Sequence, residues 1–226
     1  MPNGDHLDLL DHPGLVDVLD RARRLGFTGD APPDAHISHA LRFLAALDLV
    51  LAEHRGPSRG DDPGGEGRLL GVDLGSGAGL PGLVLALALP TSHWVLVEAM
   101  ERRAGPLAEA VDHLGLADRV EVWHGRAETF ARVPDRRGAA DLVTARGFAA
   151  PAVTAECAAP LLRLGGVLVV SEPPGSDGSR WSSTGLEALG LTPAGVTEGV
   201  MVLRATGVCP TEFPRRVGVP AKRPLF

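Results

Sequence analysis

The chain has 226 residues, a formal net charge of −6 and only two cysteines. That length can bury a substantial core in one large domain with a small appendage, and Cys157 and Cys209, far apart and in no metal or redox spacing, exclude a disulfide scaffold. The charge excludes a generally basic nucleic-acid surface, and no apolar run approaches the roughly 20 residues of a bilayer span, so a soluble, untargeted cytoplasmic protein with no membrane partner is expected.

In chain order, apolar residues three and four apart predict helices over residues 14–25 and 35–53, with Pro32-Pro33-Asp34 between them as the cap of the second. Residues 1–54 therefore read as a helical amino-terminal segment. Residues 55–67, rich in glycine, proline and aspartate, read as a linker, and 68–226 as the main domain carrying a basic tail. Within it the pattern alternates: strand 69–74, helix 80–89, strand 93–98, helix 101–114, strand 120–123, strand 141–145, helix 152–162, strand 167–171 and helix 181–189. Residues 199–208 and those before them supply closing strands. Such alternation implies a doubly wound α/β domain, a parallel sheet with right-handed crossovers whose ligand edge lies at the carboxyl ends of the strands.

Between the first strand and its helix stands Asp73-Leu74-Gly75-Ser76-Gly77-Ala78-Gly79-Leu80-Pro81-Gly82. Glycine lets a ligand approach the backbone closely, and Pro81 suits a first helical turn. Gly77 to Gly82 formally match the dinucleotide pattern G-x-G-x-x-G, but that match begins three residues beyond the strand, where the fingerprint should follow at once. The register that fits the strand end is Asp73 followed by Gly75, Gly77 and Gly79. It resembles motif I of class I S-adenosylmethionine methyltransferases, a Rossmann-like fold whose cofactor carries a cationic sulfonium and no pyrophosphate; a carboxylate at the strand tip suits it. Glu98 ends the next strand 23 residues after Gly75, near the spacing at which a carboxylate accepts from ribose hydroxyls, although a helix-cap glutamate would look the same.

Four segments together resemble the RsmG (GidB) family of bacterial small-subunit rRNA guanine-N7 methyltransferases. They are the Asp73 to Gly82 turn, Gly125-Arg126-Ala127-Glu128, Thr144-Ala145-Arg146-Gly147-Phe148-Ala149, and the tail Pro214-Arg215-Arg216-Val217-Gly218-Val219-Pro220-Ala221-Lys222-Arg223-Pro224-Leu225. The resemblance implies S-adenosylmethionine as cofactor and 16S rRNA or the small ribosomal subunit as partner. It implies that Asp73, Gly75, Ser76, Gly77, Gly79, Leu80 and Glu98 line the cofactor, that Ala127 and Glu128 hold its adenine, and that Arg146 reaches cofactor or target with Arg126 as its basic partner. Arg215, Arg216, Lys222 and Arg223 would contact RNA phosphates, which position RNA without reading sequence.

Guanine N7 presents an in-plane lone pair, so its methylation needs no base and relies on in-line positioning and electrostatics. Exocyclic amino methylation commonly uses an acid or amide followed by Pro-Pro and an aromatic after the fourth strand, where this chain has Arg146-Gly147-Phe148. Pyrimidine C5 methylation needs a nucleophilic cysteine near the site, and Cys157 falls inside a predicted helix. His36 and His39, one helical turn apart without a third ligand, read as a helix-surface pair, so no metal is assigned. The chain departs from the family at His36-Ile37-Ser38-His39-Ala40, where His-x-x-Asp-Ser is usual, and at Ser171-Glu172, where a lysine that helps hold RNA should end the fifth strand. Two further readings stay open: a methyltransferase of a small molecule or another RNA, and a non-catalytic, cofactor-holding RNA-binding or ribosome-assembly module.

Overall fold

A computed structural model of the chain describes residues 7–45 and 68–226. The linker expected over 55–67 and the end of the helix expected over 35–53 lie outside the described residues. Helix α1 (Pro13–Arg24) starts with His12 Nδ1 accepting from Leu15 N at 3.2 Å and with proline in its first turn, where no N–H is needed. Its buried Leu15 and Leu19 pack with Ile37 and Ala40 of α2 (Pro33–Ala45) against Ala78, Leu80 and Val84. The two amino-terminal helices thus share a core with the glycine turn.

The main domain runs β1 (Leu70–Leu74), α3 (Gly82–Ala88), β2 (His93–Glu98), α4 (Glu101–His113), β3 (Val120–His124), α5 (Ala127–Phe130), β4 (Ala140–Ala145) and α6 (Pro151–Ala158). It continues through β5 (Leu162–Ser171), α7 (Ser183–Glu187), β6 (Leu191–Thr197), β7 (Val200–Ala205) and α8 (Val219–Lys222). The expected helix over 80–89 begins later, at Gly82, with Pro81 as its N-cap after a cis Leu80–Pro81 bond.

The strands form one sheet in the order β3-β2-β1-β4-β5-β7-β6. The first five pair in parallel, as the alternating pattern requires, whereas β7 pairs antiparallel with both β5 and β6. The doubly wound parallel part expected from the alternation is thus present in the first five strands, and the closing strands make the sheet mixed. The cause is local: Glu198 and Gly199 both take positive φ, 49° and 74°, the conformation of a two-residue hairpin turn that sends β7 back beside β6.

Period-two alternation sends side chains to both faces. Trp94, Leu96, Leu142, Val167 and Val169 join Leu83 of α3 and Leu107 of α4 on one face. Val95, Val97, Val143, Leu168 and Val170 meet Phe130, Ala155, Leu186 and Trp181 on the other. Both faces being covered, the open position for a ligand is the rim, at the β1/β4 neighbours where strand order reverses.

Candidate active site

The glycine turn leaves β1 and is tied at once to β2: Gly75 N and Ser76 N both donate to the Val97 carbonyl, at 2.8 and 3.1 Å. Gly75 sits at φ 68°, left-handed backbone that glycine adopts without strain. A Cβ there would lie 2.7 Å from Phe148 Cδ2, so the absence of a side chain is what lets the strand-β4 loop close over the turn.

Glu98, at the tip of β2, organises the next layer. Its buried carboxylate accepts from Gly77 N through Oε2 at 2.9 Å and from Met100 N through Oε1 at 2.7 Å. Each carboxylate oxygen has lone pairs for more than one donor, so the group is held in place and can still accept from a diol. A crevice of about 170 Å³ opens there, bounded by Gly75, Glu98, Ala99, Ala127 and Phe148. Small and aromatic walls, an anchored acceptor, the Arg103 side chain on the lining and a side-chain-free floor suit a nucleoside, and the residues present fit an adenosyl group.

Other expected contacts lie elsewhere. Asp73 is fully buried beneath the turn, where Thr144 Oγ1 donates to Oδ1 at 2.8 Å and Gly82 N to Oδ2 at 3.3 Å. Burial pushes its pKa up to about 6, against the pull of those hydrogen bonds and of Arg146. Its carboxylate thus shapes the turn from below. Ser76 Oγ donates to the Asp73 carbonyl at 3.0 Å, Gly79 N to the Ser76 carbonyl at 2.7 Å, and Leu80 is buried against α1 and α2. Ala127 borders the crevice, but Glu128 Oε1 accepts from Gly218 N at 2.9 Å and so holds the tail. Arg126, the exposed N-cap of α5, stands outside the crevice lining.

Arg146, at the end of β4, donates through Nη2 to His36 Nδ1 at 2.8 Å. The surface-pair reading of His36 and His39 is corrected accordingly: His36 is buried at 7% exposure and His39 half-buried. Burial and the nearby Arg146 charge lower both histidines, His39 to about 4, so both are neutral at pH 7. Burial also lowers Arg146, while the Asp73 charge raises it. Among the described residues no three His, Cys, Asp or Glu side chains gather as a metal site.

The tail is folded. Arg215 donates from Nε and Nη2 to the two oxygens of Glu156, at 2.9 and 2.6 Å, and from its backbone N to Oε1 at 2.8 Å. Arg132 and Arg137 hold the Pro214 and Phe213 carbonyls at 2.5 and 2.6 Å. Arg216, Lys222 and Arg223 remain exposed, so the cationic surface expected of the tail rests on these three, and Arg215 is an internal clamp.

Sequence reasoning missed Phe148 and Arg103 as crevice residues. Arg103 carries a signal in hindsight: with Arg102 it puts positive charge in the first turn of α4, where the helix dipole disfavours it. Its guanidinium lies 5.7 Å from the Phe27 ring centroid, joining the crevice to the α1–α2 connection.

The reversed strand order, the glycine turn and the anchored acceptor at the β2 tip define a class I S-adenosylmethionine-dependent methyltransferase. A methyltransferase from Geobacter sulfurreducens shares the fold at TM-score 0.55 and 16% identity, over 85% of this chain and 89% of that one. The cyclase SpnF shares it at TM-score 0.50 and 21% identity, over 74% of this chain and 61% of that one, so the fold alone does not fix the reaction. The family model for rRNA small subunit methyltransferase G matches residues 65–172. Ribosomal RNA small subunit methyltransferase G of Synechococcus sp. (strain RCC307) is 36% identical over 68% of this chain and 70% of its own length. The protein of that name from Pelotomaculum thermopropionicum is 35% identical over 92% of this chain and 86% of its own. The chain belongs to the rRNA small subunit methyltransferase G family.

Proposed function

We propose that this chain transfers a methyl group to N7 of a guanine in the 16S rRNA of the small ribosomal subunit, in the cytoplasm. The observation that carries this reading is the 35% identity to a ribosomal RNA small subunit methyltransferase G across 92% of the chain, with the glycine turn inside the segment the family model matches. S-adenosylmethionine, when bound, supplies an electrophilic methyl on a sulfonium. Glu98 would accept from the ribose hydroxyls, Gly75 and Ala127 would leave room for the adenosyl group, and Phe148 would cover it. Guanine N7 brings its own lone pair, so the chain's task is to hold the base in line and keep water out. Arg146, beside the crevice through Gly147 and Phe148, supplies positive charge next to the target without having to remove a proton.

The acid at the end of β5 favours another substrate only if it faces the site. Instead Glu172 accepts from Trp181 Nε1 at 2.9 Å and from Ser176 Oγ at 2.5 Å, with its side chain wholly buried. It anchors the loop after β5. The direct test incubates the protein with small subunits lacking the mark and S-adenosylmethionine labelled in its methyl group, followed by nuclease digestion and mass spectrometry. One labelled N7-methylguanosine in 16S rRNA is expected; cofactor binding without RNA label would instead indicate a non-catalytic module.

Glu98→Gln should lower S-adenosylmethionine affinity by roughly 10- to 100-fold in titration calorimetry, because an amide NH₂ must face either a ribose hydroxyl or a backbone N–H. Unchanged affinity would remove Glu98 from the site.

A further inference from the structure

Among the described residues, the buried side-chain atoms that bond to nothing include Arg146 Nη1, next in sequence to the crevice residue Gly147, and His39 Nδ1. Such atoms are costly to bury unless a partner arrives. They belong to one constellation. Arg146 Nη2 is held by His36 Nδ1 at 2.8 Å, and His39 lies three residues along α2 from His36, on the same helix face. His39 is backed by Phe43, its ring centroid 6.0 Å away, and Arg42 from the same helix reaches Gly199 in the β6–β7 turn. The ring of His36 has one tautomer that satisfies both neighbours, with Nδ1 accepting from Arg146 and Nε2–H directed at the Gly29 carbonyl 3.5 Å away.

We propose that Arg146 Nη1 and His39 Nδ1 together read the Watson–Crick edge of the target guanine, with His36 as the positioning residue that aims Arg146. The proposal rests on the guanine-N7 reading and adds how the base is chosen. Arg146 donates to guanine O6, and neutral His39 accepts from guanine N1–H or its 2-amino group. N7 itself stays free to face the methyl carbon. Adenine, which has an equally available N7, would set its 6-amino group against the Arg146 donor and its bare N1 against the His39 acceptor. The same two atoms that bond guanine therefore reject adenine. The neutrality of His39 is what makes it an acceptor, and its pKa, lowered to about 4 chiefly by burial with Arg146, Arg42 and His36 as charged neighbours, supplies it. His39 accepts without adding a negative charge beside the target.

The test compares small subunits whose target nucleotide is guanine with subunits reconstituted to carry adenine there, measuring kcat/KM and S-adenosylmethionine affinity for each variant. The unsubstituted protein should favour guanine by at least about 1,000-fold, the discrimination typical of a site built to hydrogen-bond its substrate. His39→Ala should narrow that ratio by roughly 10- to 100-fold while cofactor affinity stays within about twofold. His36→Ala should narrow it similarly, and His36→Asn, whose amide oxygen can still accept from Arg146, should restore most of it. A role in packing alone would lower both rates and leave their ratio where it was; an unchanged ratio in His39→Ala overturns the proposal while the rRNA reading stands. Absence of transfer by the unsubstituted protein to either subunit overturns the rRNA reading and this inference with it.

Discussion

Gly75→Val should lower S-adenosylmethionine affinity by at least about 100-fold and leave a folded but less stable protein. Two effects add. A β-branched residue at φ 68° is strained by roughly 1–3 kcal/mol, since the left-handed region brings Cβ against its own carbonyl. The new Cβ also starts 2.7 Å from Phe148 Cδ2, before either methyl of valine is placed. Either the ring moves, uncovering the crevice, or the turn moves, and both Gly75 N and Ser76 N then lose the Val97 carbonyl. The cavity of about 170 Å³ has Gly75 and Phe148 on its lining, so both adjustments alter the space a nucleoside would fill. Gly138→Asn is the companion variant: Gly138 is also left-handed, at φ 63°, and lies outside the crevice lining, a Cβ there meets nothing within 4 Å, and asparagine tolerates that conformation. Its effect on cofactor affinity should be slight. Calorimetric titration with thermal unfolding measures both, and normal affinity in Gly75→Val would contradict the site.

The parts of this molecule legible in the sequence are those specified by nearest neighbours along the chain. β2, His93–Glu98, is a four-residue apolar run, Trp94 to Val97, between a histidine and an acid, and both its limits and the placement of Glu98 follow from that pattern. The same holds for Asp73 at the end of β1 and for the glycine register after it. What local pattern does not carry is the partner a polar side chain finds across the fold. His36 and His39 look like the polar face of an amphipathic helix until α2 is laid against the rim of β4, 110 residues away, where Arg146 waits. Asp73 reads as a ligand for a cation because it stands at a strand tip, yet the turn that follows folds over it and supplies Gly82 N and, from β4, Thr144 as donors. The tail misleads in the same way. Its charge density reads as an RNA-binding arm, and nothing local ties it to Glu156, in the mostly small and apolar stretch of α6; only the fold reveals that Arg215 and Glu156 answer each other.

Arg215→Ala should destabilise the protein by about 3 kcal/mol, whereas Arg216→Ala, one residue along, should leave stability within about 0.5 kcal/mol. Glu156 has a side chain with 0% exposure, and Arg215 supplies its counter-charge in a two-pronged contact that lysine cannot reproduce. Removing the arginine leaves a buried carboxylate with no cation. The lower end of the range for a broken buried pair applies because Arg215 keeps 26% of its side chain in water. In a chain of this size the loss lowers the midpoint of thermal unfolding by roughly 10 °C. Replacing both members, Arg215→Ala with Glu156→Leu, removes the stranded charge and should recover much of the stability, an outcome a phosphate-binding role for Arg215 does not produce. RNA affinity should behave in the opposite sense: Arg216→Ala weakens binding and reduces the salt dependence by about one phosphate contact, as expected of an exposed cation on a tail the clamp holds in place. If Arg215→Ala proved as stable as the unsubstituted protein and lost only salt-sensitive RNA binding, the clamp would be wrong and the whole tail would be an RNA-binding arm.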